Sequence, residues 1–459
     1  DVADAVPGWF QPVLRLCQAD GREVAYNDDY RFKPDPIIFF EVPADGQYVL
    51  SITDAIFRGR EDFVYRLTIG ELPFVTSIFP LGGQAGTPAK IEMTGWNLEN
   101  AVLTPPAPDA GPRIHRIAAS REGFVSNELP FALDTLPEGF EKEPNNDRAG
   151  ARKVKLPIII NGRIDRPDDW DVFQFTGRAG QTVVAEVGAR RLDSPLDSVL
   201  KLTDASGSVL AMNDDCEDPE AGVNTHDADS YLMFRLPADG TYYVHLGDTA
   251  RSGGPEYAYR LRLSPPQPDF ALYVVPSSIA LRGKSAARVD VRVLRKDGLA
   301  GPIKVSLKDP PKGFSMAPVT IPPAKATAQL LLRTSLTDTP QPVDIRFEGH
   351  AKVQQRDIVR EAVPAEDRMQ AFLWRHLVPA EDLEVLVYQQ TYTPPPKRVP
   401  RPTEAKPVAA KPQPAPAGKL KFSKQQVAGR LRQLKFLFEE GLLTEGFYNT
   451  RVAECQAAQ

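Results

Sequence analysis

Two short acidic stretches, Glu141-Lys-Glu-Pro-Asn145 and Asp168-Asp-Trp-Asp171, hold the residue types best suited to chemistry in this chain. Alternate residues of an extended segment fall on one side of it, so Glu141, Glu143 and Asn145 can offer a row of oxygens. Asp168 and Asp171 flank Trp170 at the start of an alternating run whose Phe173 and Phe175 read as core. Calcium takes roughly six to eight oxygen ligands, and without a cation carboxylates gathered in one place repel one another. The alternative is that Glu141 and Glu143 are solvated linker acids and that Asp171 caps a turn.

A second polar cluster, Asn213, Asp214, Asp215, Glu217, Asp218, Glu220, His226, Asp227 and Asp229, fills the loop between two expected strands. Its Asn-Asp-Asp start recurs at Asn27-Asp-Asp29 while the rest does not, which favours a turn role over a metal site. Nothing reads as a catalytic centre. The histidines His115, His226, His245, His350 and His376 are dispersed, and no His-Glu-x-x-His, Gly-x-Ser-x-Gly or Cys/His arrangement is present. Gly283-Lys-Ser285 imitates the end of a phosphate-binding loop but lacks the earlier glycine and has β-type flanks.

These residues must be positioned by strands. Val13 to Asp29 aligns with Val199 to Asp215, and Phe39 to Ile69 with Met233 to Leu263, giving 20 identities in 48 positions. Residues 1–70 therefore repeat the second half of the 138–265 segment. Tyr48, Leu50, Ile52 and Tyr65, Leu67, Ile69 alternate as Tyr242, Val244, Leu246 and Tyr259, Leu261, Leu263 do, the period of half-buried antiparallel strands. Pro-Ala-Asp-Gly precedes each Tyr strand as a turn. The first copy has no counterpart of Glu141 to Phe175, so half a sandwich is expected to leave a core face and an edge bare, whether truncated or completed by another chain.

Residues 71–135 repeat a strand, glycine turn, strand rhythm. Residues 266–393 alternate again through Val289-Asp-Val-Arg-Val293, Ile303-Lys-Val-Ser-Leu307, Ala328 to Leu332 and Val343 to Phe347, with a helix expected over 365–375 and a strand over 383–387. Residues 394–418 carry nine prolines and read as a basic, polyproline-like spacer. In 419–459 the period turns helical: Val427, Leu431, Leu434 and Phe438 form one stripe, Gly441 is a C-cap candidate, and Thr444 can cap a second helix. The expected fold class is all-β, tandem β-sandwiches followed by a small helical hairpin.

The 459 residues suffice for several domains, and the 44 prolines and 32 glycines suit short strands joined by turns. The net charge of −5 conceals an asymmetry: residues 394–438 hold eleven Lys/Arg against Glu404 alone. The β-modules are correspondingly acidic, which disfavours nucleic acid as their partner. Cys17, Cys216 and Cys455 are too few and too scattered for a disulfide framework or a zinc site. No apolar run is long enough to span a membrane. The first residues read as the middle of a domain, so upstream sequence is expected.

Several stretches carry family resemblances. Residues 138–265 resemble the bacterial pre-peptidase C-terminal (PPC) domain family through Glu141-Lys-Glu-Pro-Asn145, Gly162, Asp168 to Phe175, Leu196 to Leu200, Gly207, Asn213-Asp-Asp215 and Tyr257 to Leu261. Residues 1–70 look like the second half of another such domain. Val75 to Pro80 with Thr94-Gly-Trp-Asn-Leu98 resembles the IPT/TIG immunoglobulin-like family, and Leu434 to Glu445 with Phe447 resembles the SHOCT hairpin, departing from it at Gly446. The module order, with Val363-Pro-Ala-Glu-Asp367 and His376-Leu-Val-Pro-Ala380, resembles large exported planctomycete proteins.

The PPC resemblance implies a jelly-roll-like, non-catalytic sandwich that in some members binds calcium, with ligands at Glu141, Glu143, Asn145, Asp168 and Asp171. It implies an extracytoplasmic, non-enzymatic protein for adhesion, binding or surface assembly. Its partners would be other protein chains or a cell-surface polymer, and self-association could run through 419–459. The alternative is the accessory region of a secreted peptidase or glycan-active enzyme whose catalytic domain lies upstream.

Overall fold

The computed structural model describes residues 10–31, 33, 35–59, 63–107, 109–216, 228–353, 356–369, 375–389, 424–439 and 443–457. The 394–418 spacer, Gly441, and Glu217, Asp218, Glu220, His226 and Asp227 of the second cluster lie outside them. The fold is all-β with one helical hairpin. The chain forms two compact units, one containing the hairpin and the other residues 9–369 with 374–388.

The first strands, β1 (Pro12–Gln18), β2 (Glu23–Asn27) and β3 (Tyr48–Asp54), make a single three-stranded sheet in the order β2-β1-β3. The next module contains β4 (Phe74–Phe79), β5 (Gly82–Gln84), β6 (Glu92–Trp96), β7 (Val102–Leu103), β8 (Ile114–Ile117), β9 (Ala119–Arg121), β10 (Phe124–Val125) and β11 (Leu129–Asp134). Val75, Ile78, Ile117 and Phe131 form its core. Gly95 is required at the Thr94-Gly-Trp corner, because a Cβ there would meet the Phe74 carbonyl oxygen at 2.0 Å.

The central sandwich runs through β12 (Glu138–Phe140), β13 (Arg152–Lys153), β14 (Ile158–Arg163), β15 (Trp170–Gly177), β16 (Thr182–Gly188), β17 (Ser198–Asp204), β18 (Val209–Asn213), β19 (Tyr231–Arg235), β20 (Gly240–Asp248) and β21 (Ala258–Ser264). Its sheets have the orders β12-β14-β21-β16-β19 and β13-β15-β20-β17-β18. Alternate residues of both sheets interdigitate, with Ile160, Phe173, Phe175, Leu200, Leu246, Leu261 and Leu263 buried between them.

The internal repeat extends to single bonds. The ladder of β1 with β2 shifts register between Leu16 and Cys17, and that of β17 with β18 between Leu202 and Thr203, the aligned positions. Gln11 N–H donates to Asp54 as Asp197 N–H does to Asp248. Asn27 accepts from Ile37 N–H as Asn213 accepts from Tyr231 N–H, each at an Oδ1. The repeated asparagine thus ties the end of one strand to the next segment, a scaffold bond. Residues 63–69, however, form no strand with any described residue, although they alternate like β21. Both neighbours of β21, β14 and β16, belong to the half that has no counterpart in the first copy.

The last β-module contains β22 (Asp269–Val275), β23 (Ser278–Arg282), β24 (Ala286–Lys296), β25 (Ile303–Lys308), β26 (Phe314–Ser315), β27 (Val319–Ile321), β28 (Thr327–Thr334), β29 (Val343–Asp344), β30 (Arg346–Val353), β31 (Arg356–Glu361), β32 (Val363–Met369), β33 (Arg375–Pro379) and β34 (Glu384–Tyr388). The helix expected over 365–375 is not found in its described residues, 365–369 and 375, which belong to the β32 and β33 ladder. Pairing with β22 and burial of Ala365 override the helical preference of Ala, Glu and Met, and Glu366 accepts from Ser277 N–H and Oγ–H. The Val343 to Phe347 run also splits, β29 joining β34 and β30 joining β25. In the other unit, α1 (Lys424–Glu439) and α2 (Glu445–Ala457) form the hairpin. The Thr444 hydroxyl accepts from Phe447 N–H, and the Phe438 and Tyr448 rings stack at 4.5 Å.

The central sandwich joins the following module through buried charge. Arg262 donates to both oxygens of Asp297 at 2.7 and 3.0 Å and to Glu186 at 2.7 Å, and Asp297 also accepts from the Tyr231 hydroxyl and Gln267 N–H. Burial alone would push Glu186 up, but the Arg191 and Arg262 guanidinium groups outweigh it and hold the carboxyl at about 2. A depressed folded value means stability that is present above the unfolded value near 4.5 and lost as pH falls toward 2. Arg262→Met strands Asp297 without its guanidinium and should cost about 3 kcal/mol or more in urea unfolding at pH 7. The penalty should shrink as the pH is lowered through this window.

Candidate metal centre

The acidic residues meet at one end of the central sandwich. Glu141 N–H donates to the Asn161 carbonyl, extending the parallel pairing of β12 with β14 by one residue. The segment then turns at Pro144, and the Asn145 carbonyl accepts from Val172 N–H at 2.9 Å, binding it to the start of β15. The facing loop ends in Asp168 and Asp169 before β15 places Asp171 opposite Leu246.

Among the described residues, Glu143, Asp169 and Asp171 each bring a carboxylate oxygen within 4.8 Å of the other two. Asp169 and Asp171 are buried and Glu143 half-buried. Glu143 accepts from Asn145 N–H at 3.0 Å, and Asp169 accepts from Asn146 Nδ2 and from Asp165 N–H. Asn145 is completely buried, yet neither Oδ1 nor Nδ2 of its amide has a partner, and Asp171 Oδ1 has none either. Unpartnered buried polar atoms are rare and costly in folded proteins. Asp171 is one of the three carboxylates, and Asn145 bonds another, Glu143, through its backbone N–H.

Behind this group, the Tyr259 hydroxyl lies 2.8 Å from Glu141 Oε2 and 2.6 Å from Asp171 Oδ2. Glu141 Oε1 accepts from Arg163 N–H at 2.5 Å. Burial, and then the adjoining Glu141 carboxyl, pushes Asp171 up to about 10. Glu141 is itself raised, by burial first, as is Glu143, where the charges of Asp169 and Asp165 add to burial. Burial and the same two carboxyls keep Tyr259 neutral. All three groups are raised, because two carboxylates side by side in a buried site repel one another.

Of the five residues singled out in the sequence, the structure brings Glu143 and Asp171 together, and Asn145 N–H donates to Glu143. Glu141 stands behind Asp171, with the Tyr259 hydroxyl between them. Asp168 lies outside: its backbone takes φ +63°, which turns the side chain into solvent, 72% exposed and 3.7 Å from Arg251. Asp169 is the residue that stands with Glu143 and Asp171. The signal for it was the two-residue spacing of Asp169 and Asp171, which puts both on one side of an extended segment.

An all-oxygen set with no sulfur or imidazole suits a hard divalent cation, and the orphaned Asn145 amide oxygen is a donor such an ion accepts. The other acids serve the scaffold. Asp229 accepts from the backbone N–H of Ala189, Arg190 and Arg191 and pairs with the Arg191 side chain. His245 is half-buried beside Thr203 Oγ1, and burial, followed by the charges of Lys201 and Arg148, pushes it down to about 4. Gly283-Lys-Ser285 forms the turn from β23 to β24. Cys17, Cys216 and Cys455 are not disulfide-bonded.

Residues 169–247 match the family described as the bacterial pre-peptidase C-terminal domain. Over 111 residues the chain is 40% identical to a Deinococcus radiodurans protein named a probable subtilase-type serine protease, a match covering 23% of this chain and 14% of that protein. The alignment thus spans a small part of that relative's length. The crystal structure of a Eubacterium rectale protein aligns at 9% identity and a TM-score of 0.17, over 39% of this chain and 64% of that one.

Gly162 sets the depth of the site, since a Cβ there would lie 2.3 Å from the Tyr259 hydroxyl and 2.5 Å from Glu141 Oε2. Gly162→Ala should destabilise the sandwich by about 1–3 kcal/mol, measured by urea unfolding, whereas Gly240→Ala, with open space at its Cβ, should change it far less.

Proposed function

We propose that this chain is a non-catalytic, extracytoplasmic binding protein whose central sandwich holds a calcium ion through Glu143, Asn145, Asp169 and Asp171. The observation that carries the reading is the fully buried Asn145 amide, unpartnered at both ends, beside three converging carboxylates. A bound calcium ion would supply the positive charge that lets Asp171 ionise and would give the Asn145 oxygen its missing partner. The chain's own residues fix the donors beforehand: Val172 holds Asn145, Asn146 and Asp165 hold Asp169, and Tyr259 with Glu141 holds Asp171.

The site borders a joint between modules. Arg163, whose N–H binds Glu141, lays its guanidinium over the Phe79 ring at 3.8 Å and reaches Glu92 at 3.5 Å, both in the preceding module. Ordering the Glu141 to Asn145 segment around an ion therefore stiffens that joint as well. Partners for such a set of sandwiches are other protein chains or a cell-surface polymer, with self-association through 419–459 as a further route. No helix among the described residues is long and apolar enough to cross a membrane.

A second reading, the accessory region of a secreted peptidase, is favoured by the 40% identity to the Deinococcus radiodurans relative. The two readings share the cation site and differ in what the sandwiches accompany.

Calcium at about a hundred times its dissociation constant adds about 2.7 kcal/mol to the state that binds it. Millimolar calcium should raise the calorimetric transition assigned by hydrogen exchange to residues 170–177, and chelator should reverse the shift. Asp169→Asn should abolish the shift and Asp168→Asn leave it intact. An unchanged transition with calcium in the unsubstituted chain would remove the cation from this account.

A further inference from the structure

The two sheets of the central sandwich carry charge differently on their outer faces. On the sheet containing β21, Arg260 is paired with Glu138, and Arg262 with Glu186 and Asp297. On the other sheet the register sets Lys153 opposite Gln174, Gln174 opposite Tyr243, and His245 opposite Lys201. Every acid of its five strands, Asp171, Asp204 and Asp248, falls in the alternate set that faces inward with Phe173, Leu202 and Leu246. The outward set holds cations and no carboxylate.

A further cation joins them from a loop. Arg148, which precedes β13, reaches past β15 and β20 to donate to the Ala205 carbonyl at 3.0 Å, just beyond the end of β17. Lys201 Nζ lies 4.9 Å from the centre of the Trp170 ring. Among the described residues Lys153, Lys201 and Arg148 form no ion pair, and His245 makes one side-chain hydrogen bond, between its Nε2 and Thr203 Oγ1 at 3.1 Å. Burial lowers the His245 imidazole first, and the charges of Lys201 and Arg148 lower it further, with no carboxylate acting against them. The face is open to solvent, since Met212, opposite Lys201 on β18, is 60% exposed.

We propose that this face binds an anionic polysaccharide, with Lys201, Arg148 and His245 receiving its acidic groups and the Trp170 ring lying against a sugar. Cations gathered without counter-charge repel one another, and an oxyanion among them removes that repulsion. With the Thr203 hydroxyl donating to Nε2, the proton of the His245 ring sits on Nδ1, where it can be donated to an anion. Trp170 rests on Gly247, where a Cβ would meet its ring at 3.0 Å, so an apolar plane adjoins the Lys201 cation. That pairing suits a sugar ring bearing a carboxylate or sulfate. Nucleic acid is the poorer occupant: residues 138–265 hold 22 Asp/Glu against 15 Lys/Arg, so the basic face is local and a dense phosphate backbone would run onto acidic surface.

The proposal deepens the binding reading above by naming the polymer, and its test does not pass through the cation. The full chain is acetylated with an amine-reactive ester and the rate is read at each lysine by mass spectrometry, so that the basic 394–438 segment reports separately from Lys201. Oligogalacturonate or dextran sulfate at millimolar sugar should slow acetylation of Lys201 at least about fivefold, and high salt should erase the effect. Neutral dextran should not slow it, and the two acidic polymers distinguish carboxylate from sulfate. Arg148→Gln, at an exposed position, should lose most of the protection while its Lys201 is acetylated at the ordinary rate without polymer. An unchanged Lys201 rate with both acidic polymers overturns the proposal, as does equal slowing by neutral dextran or full protection in Arg148→Gln. Equal protection by oligodeoxythymidylate makes nucleic acid the occupant and also overturns it. If Lys201 stays unprotected while calcium still raises the transition over residues 170–177, the polymer assignment alone fails.

Discussion

The structure depends on one strand having a neighbour on each edge. β21 lies between β14 and β16, and each residue of its inner and outer faces does a separate job only because that pairing fixes its direction. Leu261 and Leu263 fill the core, Tyr259 reaches the buried carboxyls, Arg260 pairs with Glu138 and Asn161, and Arg262 leaves the sandwich to hold Asp297. The aligned residues 63–69 keep the same alternation but have no such neighbours, and they form no strand and bury little. A period of two is permission to be a strand. The ladder that satisfies both edges is what makes one.

The same strand explains why the joints around the central sandwich are polar yet fixed. Arg260 is almost fully buried and its guanidinium divides between Glu138 and Asn161, so removing either partner would leave charge or dipole without solvent. Arg262 is held by both Glu186 and Asp297, which lie in adjacent modules. Buried pairs of this kind add little net stability over apolar packing, but they accept few alternative geometries. The module boundaries are therefore set by named charges rather than by loose apolar contact.

Much of this was legible in the sequence, and the failures share a cause. The internal repeat was visible as identities, and the structure returns it as matching bulges, matching Asn bonds and matching carboxylate turns. Local signals misled where a distant partner decided. The described residues of 365–375 have helical composition but lie in the ladder of β32 with β33, and a left-handed backbone turns Asp168 out to solvent while Asp169 is buried beside Asp171. The unpartnered Asn145 amide had no sequence signature beyond its position, because its burial depends on a segment bonded to β15 across 27 residues of sequence, from Asn145 to Val172.

The bare face of residues 63–69 sets the balance of stability within the chain. Burying a large apolar side chain contributes roughly 1.5–3 kcal/mol, so Val64, Tyr65, Leu67 and Ile69 together leave several kcal/mol unrealised, comparable with the whole stability of a small domain. What holds the first sheet in place is instead lateral: Arg31 and Lys33 bind Asp193 and Glu256, and Phe39 stacks on Trp96 at 5.2 Å. Those contacts anchor the sheet at residues 30–39 and leave the edge of β3 free.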